Sequence, residues 1–423
     1  MSTHESSVPS SKPFVLLGSG FSKAVFSGMP TLAELSSMVL QRLQLDPNVL
    51  QPFAGDLEQW LSFLSTDQPW LDDFENLNNR SLFLRASSAV KEAIDQSEKG
   101  ALAGPYPAWL KRLVISWCAE GATVVTFNYD LLIERITTEL GMTRSWADLY
   151  RMPLADRSTS FRSGGMLARA TPPGSVLSLL KLHGSTNWGY AGMNTTTGDA
   201  IYLMDSDMRW SEPNQIRPPL PRHEGLYDDL KPMIVPPTGT KNLYYSSSGL
   251  RAQWRKAREA LQNASTVTLI GYSFPATDLA ARHFFAGDVP KVPVTVVDRN
   301  PGVEASVVAL VGSNPRVSSF SGDDAIQRYV SSTCGDVLQW DADHGNAGFV
   351  PWVELNGVKR TAPGGKIDSR DDAKVKAGSL ALEELASLNL NSHEFHIDED
   401  KAHWPALNTA YRRRSAAVTD GSE

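Results

Sequence analysis

The sequence predicts an α/β fold: a doubly wound, mostly parallel, Rossmann-like sheet with a helical insertion and a small C-terminal extension. Three observations predict it. Five short β-branched or aliphatic runs, starting near Phe14, Thr123, Val176, Thr266 and Val294, each end in a polar or glycine-rich tip. Helical patterns separate these runs, and strands that alternate with helices build parallel sheets. The first run leads straight into a glycine turn, Gly18-Ser19-Gly20.

At 423 residues the chain exceeds the usual length of one domain, while 41% hydrophobic and 21% charged residues are ordinary for a globular protein. A net charge of −7 argues against broad nucleic-acid binding, because phosphate contacts need a basic face. Two cysteines, Cys118 and Cys334, are too few for a disulfide framework or a four-cysteine zinc module. Residues 1–12 read as a disordered, Ser-rich tail without the apolar core of a signal peptide. No run approaches the ~18 apolar residues of a membrane helix. A cytoplasmic protein without membrane contact is expected.

Phe14–Leu17 forms the first strand, and Gly18-Ser19-Gly20-Phe21-Ser22 turns it into a helix. The N–H groups opening such a helix can hold a diphosphate, although Lys23 replaces the third glycine of the usual fingerprint and a plain strand-to-helix turn reads alike. Thr31 and Glu34 form a capping box for a helix from Leu32 to about Leu43. Residues 50–108 are a helical insertion whose Trp60, Phe63, Leu64 and Trp70 read as core. An amphipathic helix, Trp109–Glu120, contains a buried thiol at Cys118 and delivers the chain to the strand at Thr123. That strand ends in Thr126-Phe127-Asn128-Tyr129-Asp130. Open α/β sheets bind ligands at such carboxyl ends, yet Asn128 and Asp130 are equally suited to cap the helix Leu131–Leu140.

The run Val176–Leu182 ends in His183, the side chain best suited to exchange a proton near neutral pH. Residues 187–234 read as a long flap with a short strand at Ile201–Leu203. A helix over Leu250–Asn263 feeds the strand Thr266–Ile270, which ends in Gly271-Tyr272-Ser273, and Asp278 caps the next helix. The strand Val294–Val297 ends in Asp298-Arg299-Asn300. An acid there holds a ribose hydroxyl in dinucleotide folds, or caps a turn. The sheet domain spans 13–330. Residues 331–423, with a hairpin at Asn356-Gly357 and a helix Asp372–Leu388, form an extension for assembly, partner docking or simple packing. His393, His396 and His403 fit no standard metal spacing, and no metal is expected.

Together the tips resemble the sirtuin pattern. Gly18-Ser19-Gly20-Phe21-Ser22 with Gly28-Met29-Pro30-Thr31 is similar to GAG-[IF]-S…G-[IM]-P, and Thr126–Asp130 to T-x-N-x-D. Leu182-His183-Gly184 resembles L-H-G, Gly271-Tyr272-Ser273 resembles G-T-S, and Asp298–Asn300 the segment that meets adenosine. The order is that of sirtuins across residues 13–330. Sirtuin deacylases usually carry four zinc-binding cysteines between the His-Gly and Gly-Thr-Ser segments; this chain has none there. The segments Lys181-Leu182-His183-Gly184-Ser185 and Ile270-Gly271-Tyr272-Ser273-Phe274 look like the bacterial sirtuin-like effectors of anti-phage defence.

The resemblance implies a sirtuin-type fold and an NAD glycohydrolase that releases nicotinamide and ADP-ribose without a metal. Carried over, Gly18, Ser19, Gly20, Phe21 and Ser22 would hold the diphosphate. Asn128 would orient the nicotinamide ribose or the attacking water, and Asp130 the nicotinamide end. His183 would accept a proton. Asp298 and Asn300 would meet the adenosine, with Thr126, Gly271, Tyr272 and Ser273 completing the NAD-binding set. By the same analogy the chain would be a homo-oligomer, switched on by a partner such as a DNA-translocating ATPase, an Argonaute-like protein or a phage component. Two other readings stand beside it: a sensor that binds NAD or ADP-ribose without turnover, and a zinc-less NAD-dependent deacylase.

Overall fold

The computed structural model describes residues 11–143, 145–152, 154–156, 177–191, 201–204, 208–212, 230–234, 247–275, 278–312, 315–345, 348–362, 366–388, 390 and 408–412. Its centre is a six-stranded, wholly parallel sheet. The strands are β1 (Lys12–Leu17), β2 (Thr123–Thr126), β4 (Ser178–Lys181), β8 (Ala264–Ile270), β9 (Val294–Asp298) and β10 (Val317–Ser321). They lie in the order β10-β9-β8-β1-β2-β4. Counted by chain position from the opposite edge this is 3-2-1-4-5-6, the order of dinucleotide-binding sheets, and the winding reverses between β1 and β8. β1 begins at Lys12, inside the stretch expected to be tail.

Alternation along β1 explains the two faces. Phe14 and Leu16 join Leu180, Val267, Leu269 and Val296 in one core, closed by Ala257 and Leu261 of α8 (Ser248–Gln262), Phe285 of α9 (Leu279–Asp288) and Val307 of α10 (Gly302–Val311). Val15 and Leu17 join Val124 and Leu179 in the other. That face is covered by α1 (Ser19–Val25), α5 (Ala108–Ala119), α6 (Leu132–Glu139), α11 (Ala325–Thr333) and the insertion. Each large apolar side chain buried this way contributes about 1.5–3 kcal/mol. Leu17 pairs with both Thr126 and Ile270, and Thr126 with Lys181, so the ends of four neighbouring strands emerge level.

The insertion comprises α2 (Leu32–Leu43), a 3₁₀ turn (Pro47–Phe53), α3 (Leu57–Ser65) and the 30-residue α4 (Asp73–Leu102). The Thr31–Glu34 capping box forms as expected. Trp60 and Leu64 are core, but Trp70, expected beside them, is 70% exposed. A further short helix, α7 (Trp146–Tyr150), packs under β4.

In the stretch expected as a flap, the short strand forms as β6 (Tyr202–Leu203); with β5 (Gly184–Ala191), β7 (Leu230–Ile234) and β3 (Ala155–Asp156) it builds a second sheet, while the described residues 208–212 carry no strand. The C-terminal strands β11 (Asp336–Gly345), β12 (Gly348–Leu355), β13 (Val358–Thr361) and β14 (Asn408–Arg412) form an antiparallel third sheet covered by α12 (Arg370–Ser387). Its hairpin turns at Asn356 and Gly357, with φ of 52° and 90°, as a primed two-residue turn requires. This unit docks on α5. Arg112 donates to the carbonyls of Gly335 and Cys334, each at 2.9 Å, Lys111 pairs with Glu354 at 2.6 Å, and the Tyr411 hydroxyl donates to Glu120 at 2.8 Å. Among the described residues no helix is long and apolar enough to cross a membrane.

Candidate active site

The glycine turn sits at the point where the winding reverses. The Gly18 N–H donates to the Ile270 carbonyl at 3.0 Å and the Gly20 N–H to the Gly271 carbonyl at 2.9 Å. A Cβ at Gly18 would lie 2.5 Å from the Gly271 oxygen, and one at Gly20 2.8 Å from the Gly271 Cα. One at Gly271, whose φ is +64°, would lie 2.2 Å from the Phe21 nitrogen. The tips of β1 and β8 therefore meet backbone to backbone, closer than any side chain permits. Lys23, at the place of the third fingerprint glycine, pairs instead with Glu34 at 2.7 Å. Gly271 supplies the close approach from the neighbouring strand.

Beyond β2 the chain folds into a tight polar loop. Thr126 Oγ1 accepts the Asn128 N–H at 3.0 Å. The Asn128 amide donates to the Gly18 carbonyl and to Ser22 Oγ, both at 2.8 Å, and Ser22 Oγ donates to Asp130 Oδ2 at 2.6 Å. Asp130 Oδ1 in turn accepts the Leu132 N–H at 3.3 Å, but the N-cap of α6 is Leu131, which makes no side-chain cap bond, so neither Asn128 nor Asp130 takes the expected capping position. Two buried ion pairs hold the loop from behind. Lys181 Nζ donates to the Asp130 carbonyl at 2.5 Å and pairs with Glu134 at 2.9 Å. Glu98 on α4 accepts the Leu131 N–H at 3.0 Å and pairs with Arg135 at 2.5 Å. Burial raises the Asp130 carboxyl above its ordinary value, against the pull of Lys181 and Ser22. Burial likewise pushes Glu98 up to about 7, against Arg135.

His183 follows β4, the neighbour of β2. It is only 3% exposed, and the Phe127 ring lies against it with centroids 4.7 Å apart. Asp278 Oδ2 stands 3.8 Å from His183 Nε2. The same carboxylate accepts the Tyr272 hydroxyl at 2.8 Å through Oδ2 and caps α9 through Oδ1, from the Ala281 N–H at 3.2 Å. Phe274, next along this loop, has φ of +52°, uncommon for so bulky a residue. Its carbonyl is fixed by Arg282 at 2.8 Å and its ring by Tyr272 and Phe285.

These groups enclose a cavity of about 430 Å³, a size suited to a small-molecule ligand. Of the residues singled out in the sequence, Gly18, Ser19, Ser22, Asn128, Asp130, His183, Gly271, Tyr272 and Ser273 line it. Gly20, Phe21, Thr126, Asp298 and Asn300 are not among its lining residues. Gly20 makes the backbone contact described above, and Phe21 is buried against Trp109 and Trp117. Thr126 shapes the loop. Asp298 accepts the Asn300 N–H and Asn300 the Gly302 N–H, at 2.8 and 2.9 Å, in successive turns beyond β9, one strand further from the switch point. Partial burial raises the Asp298 carboxyl.

Searches against protein-family models and against curated proteins returned no match.

Residues without a motif complete the cavity: Glu58 of α3 and Ile94 of α4 close it from the insertion, and Asp278 enters from the cap of α9. Only Asp278 carried a signal, its helix-capping position. Among the described residues no group of three His, Cys, Asp or Glu is placed to hold a metal ion; His393, His396 and His403 lie outside them.

Proposed function

We propose that the chain is a sirtuin-like NAD glycohydrolase, cleaving NAD to nicotinamide and ADP-ribose, of the kind that depletes NAD in anti-phage defence. One observation carries the reading. Asn128, Asp130 and His183, from two neighbouring strand tips, line one cavity with the Gly18 turn and the Gly271–Ser273 loop, at the switch point of a sheet in dinucleotide-binding order. The diphosphate lies along Gly18, Ser19 and Ser22, with the nicotinamide ribose toward Asn128 and the adenosine toward Asp298 and Asn300. As the bond from ribose C1′ to the nicotinamide nitrogen breaks, its electron pair returns to the ring and neutralises the pyridinium. Water bonds to C1′ and gives its proton to His183. Asn128 orients the nicotinamide ribose or the attacking water and Asp130 the nicotinamide end, so positioning and fixed electrostatics carry the rate through the oxocarbenium-like species. Residues 331–423, homo-oligomerisation and an activating partner belong to the same proposal.

A second reading, an NAD or ADP-ribose sensor, is favoured by one detail: both Asn128 amide hydrogens are already engaged, by Gly18 and Ser22. A deacylase finds no such support. Nicotinamide release from NAD, with no acylated peptide, separates the three. Wild type is expected to release it, and Asn128→Ala and His183→Ala to lose about 100-fold or more, the usual scale for a proton-transfer residue. Equal release by His183→Ala removes the imidazole from the reaction; tight NAD binding without release makes the protein a sensor.

A further inference from the structure

We propose that Asp278 is a positioning residue for His183, an acid that orients the imidazole and stabilises its protonated form. Capping α9 uses only Oδ1, and an uncharged asparagine, serine or threonine caps a helix as well. The charge and the second oxygen are unexplained by that role. Oδ2 instead turns to the Tyr272 hydroxyl at 2.8 Å and to His183 Nε2 at 3.8 Å, with Asp278 2% and His183 3% exposed. A carboxylate in a site this dry serves its neighbour far more strongly than one in water. Tyr272 and the helix cap pin Asp278 from two sides, and Phe127 packs the imidazole ring.

The other titratable groups of the cavity have different engagements. Asp130 is bonded to Ser22, and Tyr129 presents its ring 6.4 Å from that of His183. Glu58 enters from α3 on the insertion, and Lys181, two residues before His183 but outside the cavity lining, pairs with Glu134. Asp278 is thus the acid paired with the imidazole. It favours a proton on Nε2 and stabilises the imidazolium formed when the ring accepts another, which makes His183 a stronger base. At 3.8 Å the contact is one of charge rather than a hydrogen bond, and in so dry a site charge acts at that range.

The experiment is a nitrogen-15 titration of His183 in the full chain, its signals assigned by difference from His183→Gln, in wild type and Asp278→Asn. The variant keeps a capping oxygen and removes the charge. The midpoint is expected to fall by about one unit, the scale for loss of a close opposite charge. An unchanged midpoint in folded Asp278→Asn overturns the proposal. Should that variant not fold, wild type decides: above its midpoint, a proton on Nε2 supports the pairing and a proton on Nδ1 overturns it. A kinetic measurement rests on the glycohydrolase reading. There kcat for NAD cleavage in Asp278→Asn is expected to drop by about tenfold or more, its acid limb moving to lower pH, with KM within about twofold. A shifted midpoint in a protein that never cleaves NAD sinks the glycohydrolase and leaves the pairing intact.

Discussion

Gly271 is where a single methyl group should do most damage. Its φ of +64° is already costly for an L residue, and the added carbon would press on the Phe21 nitrogen, a backbone atom that cannot swing away. Gly271→Ala is expected to cost about 3 kcal/mol or more, seen as a large fall in melting temperature. Gly287→Ala, in α9 with open space where the added Cβ would lie, should stabilise the fold by about 0.4–1 kcal/mol, seen as a small rise in melting temperature. The difference between two glycines of one chain follows from their neighbours, and only half of it was legible beforehand. Gly18, Gly20 and Gly271 announced themselves as strand tips. That Gly271 stands in for the glycine lost at Lys23 depends on β8 lying beside β1, which no local pattern reveals. Asp278 was legible as a cap for the same reason that its second contact was not: capping is set by the next three residues, while His183 is 95 positions away in the chain.

Elements meet in the buried pairs behind the Asn128 loop. A lysine in the apolar run Leu179-Leu180-Lys181-Leu182 signals that it needs a partner, since an isolated charge cannot be buried. Which of the chain's acids would answer was settled by packing α6 against β4. Glu98 was silent altogether, one of three glutamates in a 30-residue helix. It now links the insertion to the site and sets a pH dependence. Its folded value of about 7 lies above the ordinary 4.5, so the folded state binds this proton more tightly than the unfolded chain. Stability from this group is full below about 4.5 and declines as pH rises through about 7, by on the order of 3 kcal/mol. Glu98→Gln should lack that decline, so its melting temperature gains on wild type between pH 4.5 and 8. A constant difference across that range would show that Glu98 is ionised throughout.

At the scale of the whole molecule, the parallel sheet was legible because buried strands must be apolar and must alternate with helices to wind on both faces. β10 escaped because Val317-Ser318-Ser319-Phe320-Ser321 is a polar edge strand with mostly part-exposed side chains. The second sheet escaped because its strands pair across long intervals of chain. The C-terminal hairpin was readable from Asn356-Gly357, but its seat on α5 was not. Arg112→Ala there should cost about 2–3 kcal/mol by stranding the Cys334 and Gly335 carbonyls, with faster amide exchange in β11 and β14 as the check. The same contact bears on the order of events at the ribosome. Arg112 and its acceptor at Cys334 are 222 residues apart. At ordinary synthesis rates α5 waits about ten to forty-five seconds for the segment that covers it. Only late in that interval, once β8 and β9 have followed β1, β2 and β4, can a nascent chain hold most of its parallel sheet while one flank stays uncovered, so chaperone capture and premature cleavage should then concentrate on that flank.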